Sequence, residues 1–407
     1  MAVWYSSDLG WLPGSDVSSE FSLFLSDRFS SGDTLVLEDT YRLSGSNLRV
    51  PEGVTLTAVK GGGFDVVTSG RDSSPLLVLS DDVTVDNITF TAVAAPNTGY
   101  SGANPQVGTD YHAKRVLRVD GDRVTVENSA FAGNVAMHMD VEGGNDLTIR
   151  DSLFEGGFYQ VRLNGSTDDA RILGSHFRKA LGDGIKTESI DGQGPQRTLV
   201  RDSLFDDNAR DGIDVAGGFR DGRVENVVFH DNGVSGIDIK SGYDDLSDLD
   251  PRKANTGIRV TDSQFIDSPN GVVVTVINRQ GVLTEQNQQN MPHDIRVTDS
   301  VFENTKTGSG DIRAFLIKDG YDITWDGLIL RGNVVEMRFL DAETPGTLSG
   351  TNVRGRVARR EGSNATPAGS HSILRVGYCG ETRGRFTRQR SSFLFDPPER
   401  ARVGAAR

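Results

Sequence analysis

A short motif recurs along this chain, and it constrains the fold more than any other feature. Each copy ends in phenylalanine, and most copies carry a Ser after Asp or Asn two residues before it, as in VTVENSAF (124–131) and LTIRDSLF (147–154). Five successive copies end 23, 23, 28 and 24 residues apart, at Phe131, Phe154, Phe177, Phe205 and Phe229. A period of this length predicts a solenoid with about 23 residues in each coil.

The intervals between the phenylalanines contain short runs of alternating apolar residues, separated by Gly, Asn or Asp. No helical period fills them, so we predict an all-β chain whose coils stack as parallel strands about 4.8 Å apart. Inward residues of such coils form ladders. The first expected ladder is formed by the phenylalanines. A second lies before them in each coil and contains Val124, Ile149, Leu199 and Val224. A third contains Val161, Ile185, Ile213 and Ile237.

A solenoid needs a cap over the exposed strand edges of its first coil. Residues 16–29 carry apolar side chains at helical spacing, and Asp16 stands where a helix N-cap is expected. We therefore predict a capping helix at about 16–29 and a β-solenoid over 1–340. The remainder, 341–407, is Arg-rich and does not resemble the coils, so we expect a partly ordered extension.

The net charge of -14 disfavours nucleic acid as the main ligand, because phosphate binding favours a basic surface. Cys379 is the only cysteine, which excludes an internal disulfide. No run approaches the roughly 18 apolar residues of a membrane helix. The N-terminus shows no signal peptide, so we expect secretion or a periplasmic location only if a leader was removed. We also expect a monomer or a small homo-oligomer.

The capping helix, the opening GDTLVL…TYRL…LRVPEGVTL and the V/I-x-D-S-x-F coils resemble the pectate-lyase-like superfamily over roughly residues 15–335. The resemblance implies a single-stranded, right-handed parallel β-helix. It leaves the activity open, because lyases, epimerases, hydrolases and phage tailspikes share this fold. The series DGIK (183–186), DGID (211–214) and GIDIKS (236–241) looks closest to alginate-lyase-like members.

The residues beside the third apolar ladder are expected to face outward and to form a polar wall. Aligning the coils on the isoleucines gives one column of His138, Arg162, Lys186, Asp214 and Asp238. A second column, two positions further along, holds Asp140, Asn164, Glu188, Ala216 and Lys240. One interpretation is structural, with Arg162 paired to Glu188 and Lys186 paired to Asp214 up the stack.

The other interpretation is catalytic. Cleavage of a uronate polysaccharide by β-elimination needs a base at C5, a cation on the carboxylate and an acid for the leaving oxygen. Arg162 on one side of Lys186 would lower the pKa of this lysine and Asp214 on the other side would raise it, and the sequence does not decide between them. The resemblance implies Lys186 as base, with Arg162 or a metal ion neutralising the carboxylate. Tyr159 or His138 is the candidate acid.

The remaining wall residues are expected to bind substrate: Asn164, Glu188, Asp214, Asp238 and Lys240. An insertion at 96–115 is expected to add Tyr111 and His112. The preferred prediction is therefore a lyase acting on an acidic polysaccharide of alginate or pectate type. A mannuronan C5-epimerase shares the first proton abstraction and stays an alternative.

Two other chemistries compete for the same acidic residues. Asp183, Asp211 and Asp214 have the composition of an inverting hydrolase site, although the Gly-His-Gly motif of such hydrolases is absent. Asp211, Asp214 and Asp238 offer oxygen ligands of the type that Ca²⁺ prefers. A non-catalytic carbohydrate-binding or tailspike-like β-helix is the alternative from a different class.

Overall fold

A computed structural model of the protein describes most of the chain up to residue 351. The described residues are 1–68, 73–94, 112–165, 167–241, 251–276, 290–306, 312–332, 335–339 and 348–351. Over them the chain winds as a right-handed parallel β-helix, which confirms the predicted fold. Each full coil contributes one strand to each of three sheets, and the neighbouring strands within a sheet are parallel.

The strands are short, and successive strands along the chain belong to the first, second and third sheet in turn. The first sheet contains Val3–Tyr5, Thr34–Leu37, Thr55–Ala58, Thr84–Asp86, Thr125–Glu127, Thr148–Arg150, Arg171–Leu173, Leu199–Arg201, Arg223–Glu225, Thr256–Thr261, His293–Thr298, Tyr321–Asp326 and Leu348–Thr351. The second contains Thr40–Leu43, Gly63–Thr68, Thr89–Ala94, Ala130–Ala132, Leu153–Glu155, His176–Arg178, Leu204–Asp206, Val228–His230, Gln264–Ile266, Val301–Asn304 and Ile329–Gly332. The third contains Leu48–Val50, Pro75–Leu79, His112–Val119, Val135–Val141, Tyr159–Asn164, Asp183–Glu188, Asp211–Ala216, Ser235–Ser241, Asn270–Val276, Ile312–Ile317 and Val335–Phe339.

A single α-helix among the described residues, Ser18–Asp27, packs its apolar face onto the first coils. Phe21 is fully buried and stacks on Phe64 with ring centroids 5.5 Å apart. The helix begins later than predicted, with Val17 at the N-cap. Asp16 still accepts a hydrogen bond from the Ser18 backbone N–H at 3.0 Å. A short 3-10 helix, Pro251–Lys253, is the other helical element described. No described helix has both the length and the apolar character needed to cross a bilayer.

The Asp-Ser and Asn-Ser pairs of the motif form the corner between the first and second sheets. The first residue of each pair adopts a left-handed backbone, as in Asn128 (φ 50°) and Asp151 (φ 49°), a conformation that Asn and Asp tolerate better than most residues. The following serine accepts a hydrogen bond from the preceding coil: Ser129 N–H donates to Ser152 Oγ at 3.2 Å. The motif is therefore a repeated corner that also links adjacent coils.

The phenylalanines that close each motif form the predicted ladder. From Phe90 to Phe302 the rings stack nearly parallel, with successive centroids 4.7–5.2 Å apart. The phenylalanine rings leave no room for a Cβ at some positions of the third sheet. A Cβ on Gly212 would lie 2.6 Å from the Phe229 ring, so only glycine fits before Ile213. The same steric limit holds at Gly184 and Gly236, and it explains the Gly-Ile pairs of the repeat.

The predicted ladder of the first sheet is partly wrong. Ile149 does not pair with Val124 but with Val126, and Val224 pairs with Val200 rather than Leu199. Val124 and Leu199 are nevertheless buried. The first sheet also extends past the predicted end of the solenoid at 340, since Leu348–Thr351 pairs with Tyr321–Asp326. The extension beyond 351 lies outside the described residues.

Candidate functional site

Two polar columns run across adjacent strands of the third sheet. We call the first the lysine column; by backbone register it holds Asp140, Arg162, Lys186, Asp214 and Asp238. The second, the aspartate column, lies three residues earlier in each strand and holds Tyr159, Asp183, Asp211, Ser235, Asn270 and Arg313. Lys186 and Asp214 are register partners on adjacent strands, and so are Asp211 and Ser235.

The predicted position of His138 in the lysine column is wrong, because the coil before Arg162 is shifted by two residues. Asp140, not His138, is in register with Arg162. His138 is fully buried, and its Nε2 donates a hydrogen bond to the Gly133 carbonyl at 3.0 Å. Its ring lies 6.1 Å from that of Phe131, beside the phenylalanine ladder. His138 therefore belongs to the interior and not to the polar wall.

Three carboxylates from two adjacent strands form the centre of the site. Asp183, Asp211 and Asp214 each bring one oxygen to within 4.8 Å of the other two. Their relative exposures are 0%, 1% and 0%. One oxygen of Asp183, one of Asp214 and both of Asp211 are buried without a hydrogen-bond partner. Burying a carboxylate without a partner is costly, so this cluster is not explained by packing alone.

Cations surround the carboxylates. Lys186 Nζ lies 2.6 Å from Asp214 Oδ2, which confirms one of the two predicted ion pairs. Lys240 Nζ lies 3.2 Å from the same atom and 2.8 Å from Asp238 Oδ2. A more distant cation is Arg210, whose Nε is 3.8 Å from Asp183 Oδ1.

These contacts leave four carboxylates facing three cations, an excess of one negative charge. A single proton on the cluster would balance it. The pKa directions agree with this balance and differ sharply between neighbours.

Burial and the nearby Asp214 charge raise the pKa of Asp183 to about 6. Burial, together with the Asp183 and Asp238 charges, raises the pKa of Asp211 well above its ordinary value. Burial opposes ionisation of Asp214 too, but Lys186 and Lys240 outweigh it and hold the pKa of Asp214 below its ordinary value. The site therefore combines a carboxyl group that keeps its proton with one that is ionised.

A second ion-pair network borders the cluster at Arg162. Its Nε lies 2.8 Å from Asp140 Oδ1 and its Nη1 lies 3.1 Å from Glu188 Oε2, which confirms the other predicted pair. Asn164 is buried and donates to the same Asp140 oxygen at 3.2 Å. Arg115 adds a further bond to Asp140 Oδ2 at 2.6 Å. The carboxylates of Asp140 and Glu188 therefore fix the position of the Arg162 side chain.

Calcium binding was predicted at Asp211, Asp214 and Asp238. The oxygens suit Ca²⁺ in type, but two ammonium groups already contact the most acidic of them, Asp214, at 2.6 and 3.2 Å. Together with Arg210, these cations already offset three of the four negative charges of the cluster. Calcium binding stays a prediction, and no step below depends on it.

The remaining predicted residues have different positions. Tyr159 is half-buried, pairs by backbone register with Asp183, and contacts Phe158 edge-on at 4.6 Å. His112 is the first residue of its strand and is in backbone register with Val135. The side chain of His112 is not described. Tyr111 lies outside the described residues.

Sequence reasoning missed four members of this surface. Arg210 precedes the DGID motif directly and was not connected with Asp183. Ser235, Asn270 and Arg313 continue the aspartate column beyond Asp211. Each occupies the position that Asp holds in DGIK and DGID, but the residue types at that position differ from coil to coil and form no motif.

Solved structures with similar folds include proteins of several functions. The surface adhesin PfbA of Streptococcus pneumoniae is 12% identical, with a TM-score of 0.62 over 92% of this chain and 96% of that one. An exopolygalacturonase of Thermotoga maritima is 14% identical, with a TM-score of 0.60 over 81% and 87%. A GH87 α-1,3-glucanase of Streptomyces thermodiastaticus is 14% identical, with a TM-score of 0.57 over 87% and 69%. At such identities the likeness shows the fold alone.

No curated protein matches the sequence. The family model described as "Right handed beta helix region" matches residues 76–333, which is more than half of the chain and includes both polar columns. The chain therefore belongs to the right-handed β-helix family.

Proposed function

We propose that this protein cleaves a polysaccharide by acid–base hydrolysis at the cluster of Asp183, Asp211 and Asp214. The single observation that carries the proposal is the closeness of three buried carboxylates whose pKa values are displaced in opposite directions. The fold supports a polysaccharide as the substrate, since family neighbours with this architecture include an exopolygalacturonase and a glucanase. Because polysaccharides of this kind lie outside the cytoplasm, we expect the protein to act there.

The roles follow from the electrostatics. Asp211, kept protonated by burial and by neighbouring carboxylates, protonates the leaving glycosidic oxygen. Asp214, held ionised by two lysines, stabilises the positive charge that develops at the sugar or activates water. Asp183 positions Asp211, since its Oδ1 accepts the Asp211 backbone N–H at 3.1 Å. The partly exposed Arg210 and Lys240 border this chemistry.

Lyase activity, the preferred prediction from sequence, is the second candidate. It is favoured by the concentration of Arg162, Lys186, Arg210 and Lys240 along one sheet, where a uronate carboxylate would be neutralised. The difficulty is the base. Lys186 is 3% exposed and bonded to a carboxylate at 2.6 Å, an arrangement that stabilises its charged form. A neutral lysine is what proton abstraction requires.

One experiment tests both candidates. The protein is incubated with alginate, polygalacturonate, glycosaminoglycans and a neutral glucan, and new reducing ends and the absorbance of unsaturated uronates are recorded. We expect reducing ends without an absorbance rise. Asp211→Asn should lower kcat about 10²–10⁴-fold, the usual contribution of a general acid. Asp202→Asn is the matched control, because Asp202 is a left-handed corner residue where the next coil carries Asn226.

The outcomes separate the function classes. An absorbance rise that depends on Lys186 would replace hydrolysis by β-elimination. Unchanged chain length with C5 inversion would indicate an epimerase. No change in any glycan of the panel, with wild-type and Asp211→Asn proteins alike, would contradict catalysis and leave a binding protein.

A further inference from the structure

The aspartate column continues beyond the carboxylate cluster. From Asp211 it passes through Ser235 and Asn270 to Arg313, one residue on each successive strand. Three strand spacings of about 4.8 Å place Arg313 roughly 14 Å from Asp211 along the solenoid axis. A sugar unit of an extended glycan is about as long as one such spacing, so the column has the repeat of a glycan chain.

Polar atoms on this column have unused hydrogen-bonding capacity. Both carboxylate oxygens of Asp211, the hydroxyl of Ser235 and Nε of Arg313 are buried without a hydrogen-bond partner. Three of the four residues from Asp211 to Arg313 therefore have donors or acceptors that no described residue satisfies. Buried polar groups are normally paired, so packing alone does not account for the side chains of this column.

Arg313 differs from the other arginines of the third sheet in its partners. Each of those with described side chains makes an ion pair with a carboxylate: Arg49, Arg115, Arg118 and Arg162. Arg313 is half-buried, and its described side-chain contact is a neutral one, from Nη1 to Asn270 Oδ1 at 3.1 Å. Among residues with described side chains, no carboxylate makes an ion pair with it.

Asn270 holds this arginine in place. Its Nδ2 donates to the Val234 carbonyl at 2.9 Å, which fixes the amide so that Oδ1 faces Arg313. The guanidinium is thus oriented by one bond, and no other described side chain bonds to its N–H groups. A planar guanidinium recognises carboxylate or sulfate oxygens through two parallel hydrogen bonds.

We propose that Arg313, oriented by Asn270, is a subsite for an anionic sugar about three units from the bond cleaved beside Asp211. The inference rests on the proposed function for its position relative to cleavage, and it adds the class of substrate: a glycan with carboxylates or sulfate esters. Arg313 binds and positions the chain and takes no part in the chemistry.

The test measures binding separately from cleavage. In full-length Asp211→Asn protein, affinity is measured for oligogalacturonates and oligoalginates, for methyl-esterified oligogalacturonates that lack the charge, and for sulfated chondroitin oligosaccharides. Arg313→Ala should weaken binding of the anionic ligand about tenfold or more, the effect of one charge-assisted hydrogen-bonded contact, and leave the neutral ester unchanged. Arg313→Lys should recover part of the loss.

The control is Arg331→Ala, because Arg331 is exposed on the second sheet and lies 3.7 Å from Glu303. Tighter binding of carboxylated or of sulfated ligands identifies which anion the subsite takes. Equal weakening of charged and neutral ligands by Arg313→Ala, no weakening, or no binding of any anionic glycan would overturn the inference. Selective weakening by Arg313→Ala without any effect of Asp211→Asn on cleavage would keep the subsite and refute the hydrolytic proposal.

Discussion

Lys186 Nζ and Asp214 Oδ2 lie 2.6 Å apart and join two neighbouring strands of the third sheet within the carboxylate cluster. Both side chains are almost fully buried, so the pair is held in a low-dielectric setting. The ion pair assigns Lys186 to a charged, positioning role and Asp214 to an ionised one. This relationship is the main reason to prefer hydrolysis over elimination.

The first prediction concerns this pair. Lys186→Met should leave Asp214 with Lys240 as its remaining cation, and should destabilise the fold by about 3 kcal/mol because a buried charge loses its partner. The pKa of Asp214 should then rise, which moves the acid limb of the kcat/KM profile to higher pH. Urea unfolding at pH 7 and pH–rate profiles measure both effects.

The charge-free double variant, Lys186→Met with Asp214→Leu, is the control. It should recover most of the stability but no activity, since both charges are removed together. If Lys186→Met alone abolishes turnover at every pH while the double variant is no more stable than the single one, Lys186 is the base of an elimination and the assignment above is wrong.

The second prediction concerns His138 and acid stability. Burial lowers the pKa of His138 to about 4, whereas an unfolded histidine titrates near 6.5. The unfolded chain therefore binds the proton first, and stability falls as pH drops from about 6.5 to 4, by about 3 kcal/mol. His138→Gln should remove this loss. Gln160 occupies the matching position in the next coil and donates to the Gly156 carbonyl at 3.0 Å.

Urea unfolding at pH 4.5 and 7.5 measures the difference. His230→Gln is the control, because His230 lies on the surface beside Asp206 and should not affect the loss. Identical pH dependence in wild type and His138→Gln would show that another group causes acid sensitivity.

The fold was predictable because its signals are local and repeated. The Phe period specifies the coil length and the inward phenylalanine ladder, and both are confirmed. The register of single coils was harder. Residues 135–141 read VAMHMDV, with apolar side chains at every second position, so a shift of two residues keeps the same alternation. The pattern cannot decide whether Met137 or Met139 aligns with Val161, and His138 was misplaced for that reason.

The site was predictable only in part. Charged residues beside the Gly-Ile pairs indicated the surface, and the structure brings Asp183, Asp211 and Asp214 together as predicted for a hydrolase. Their protonation was not accessible from sequence, because it depends on which lysine contacts which oxygen. Arg313 was missed because its significance lies in its surroundings, where no described carboxylate side chain pairs with it.

The third prediction concerns the glycines of the third sheet. A Cβ on Gly212 would lie 2.6 Å from the Phe229 ring and 2.8 Å from the Gly236 carbonyl oxygen. Gly212→Ala should therefore destabilise the fold by about 1–3 kcal/mol through overpacking. Gly143→Ala is the control, since its nearest atom, the Asp120 carbonyl oxygen, is 3.8 Å away. Equal urea midpoints for both variants would contradict the steric explanation of the Gly-Ile motif.

The fourth prediction is the shape of the pH–rate profile. Hydrolysis requires an ionised Asp214 and a proton retained on the coupled pair of Asp183 and Asp211. Activity should rise through the lowered pKa of Asp214 and fall as pH increases past the raised pKa of the pair. A lysine base predicts the opposite sign on the alkaline side, because deprotonation would activate it.

Arg210 allows this sign to be tested within one protein. Its positive charge, 3.8 Å from Asp183, lowers the pKa of that carboxyl from the value that burial alone would give. Arg210→Gln should therefore move the alkaline limb to higher pH and leave the acid limb, which Lys186 and Lys240 control, nearly unchanged. Measured kcat/KM values between pH 3 and 9 distinguish the cases. A limb that stays in place, or activity that keeps rising with pH in both proteins, would show that the Asp183–Asp211 proton is not the one used in catalysis.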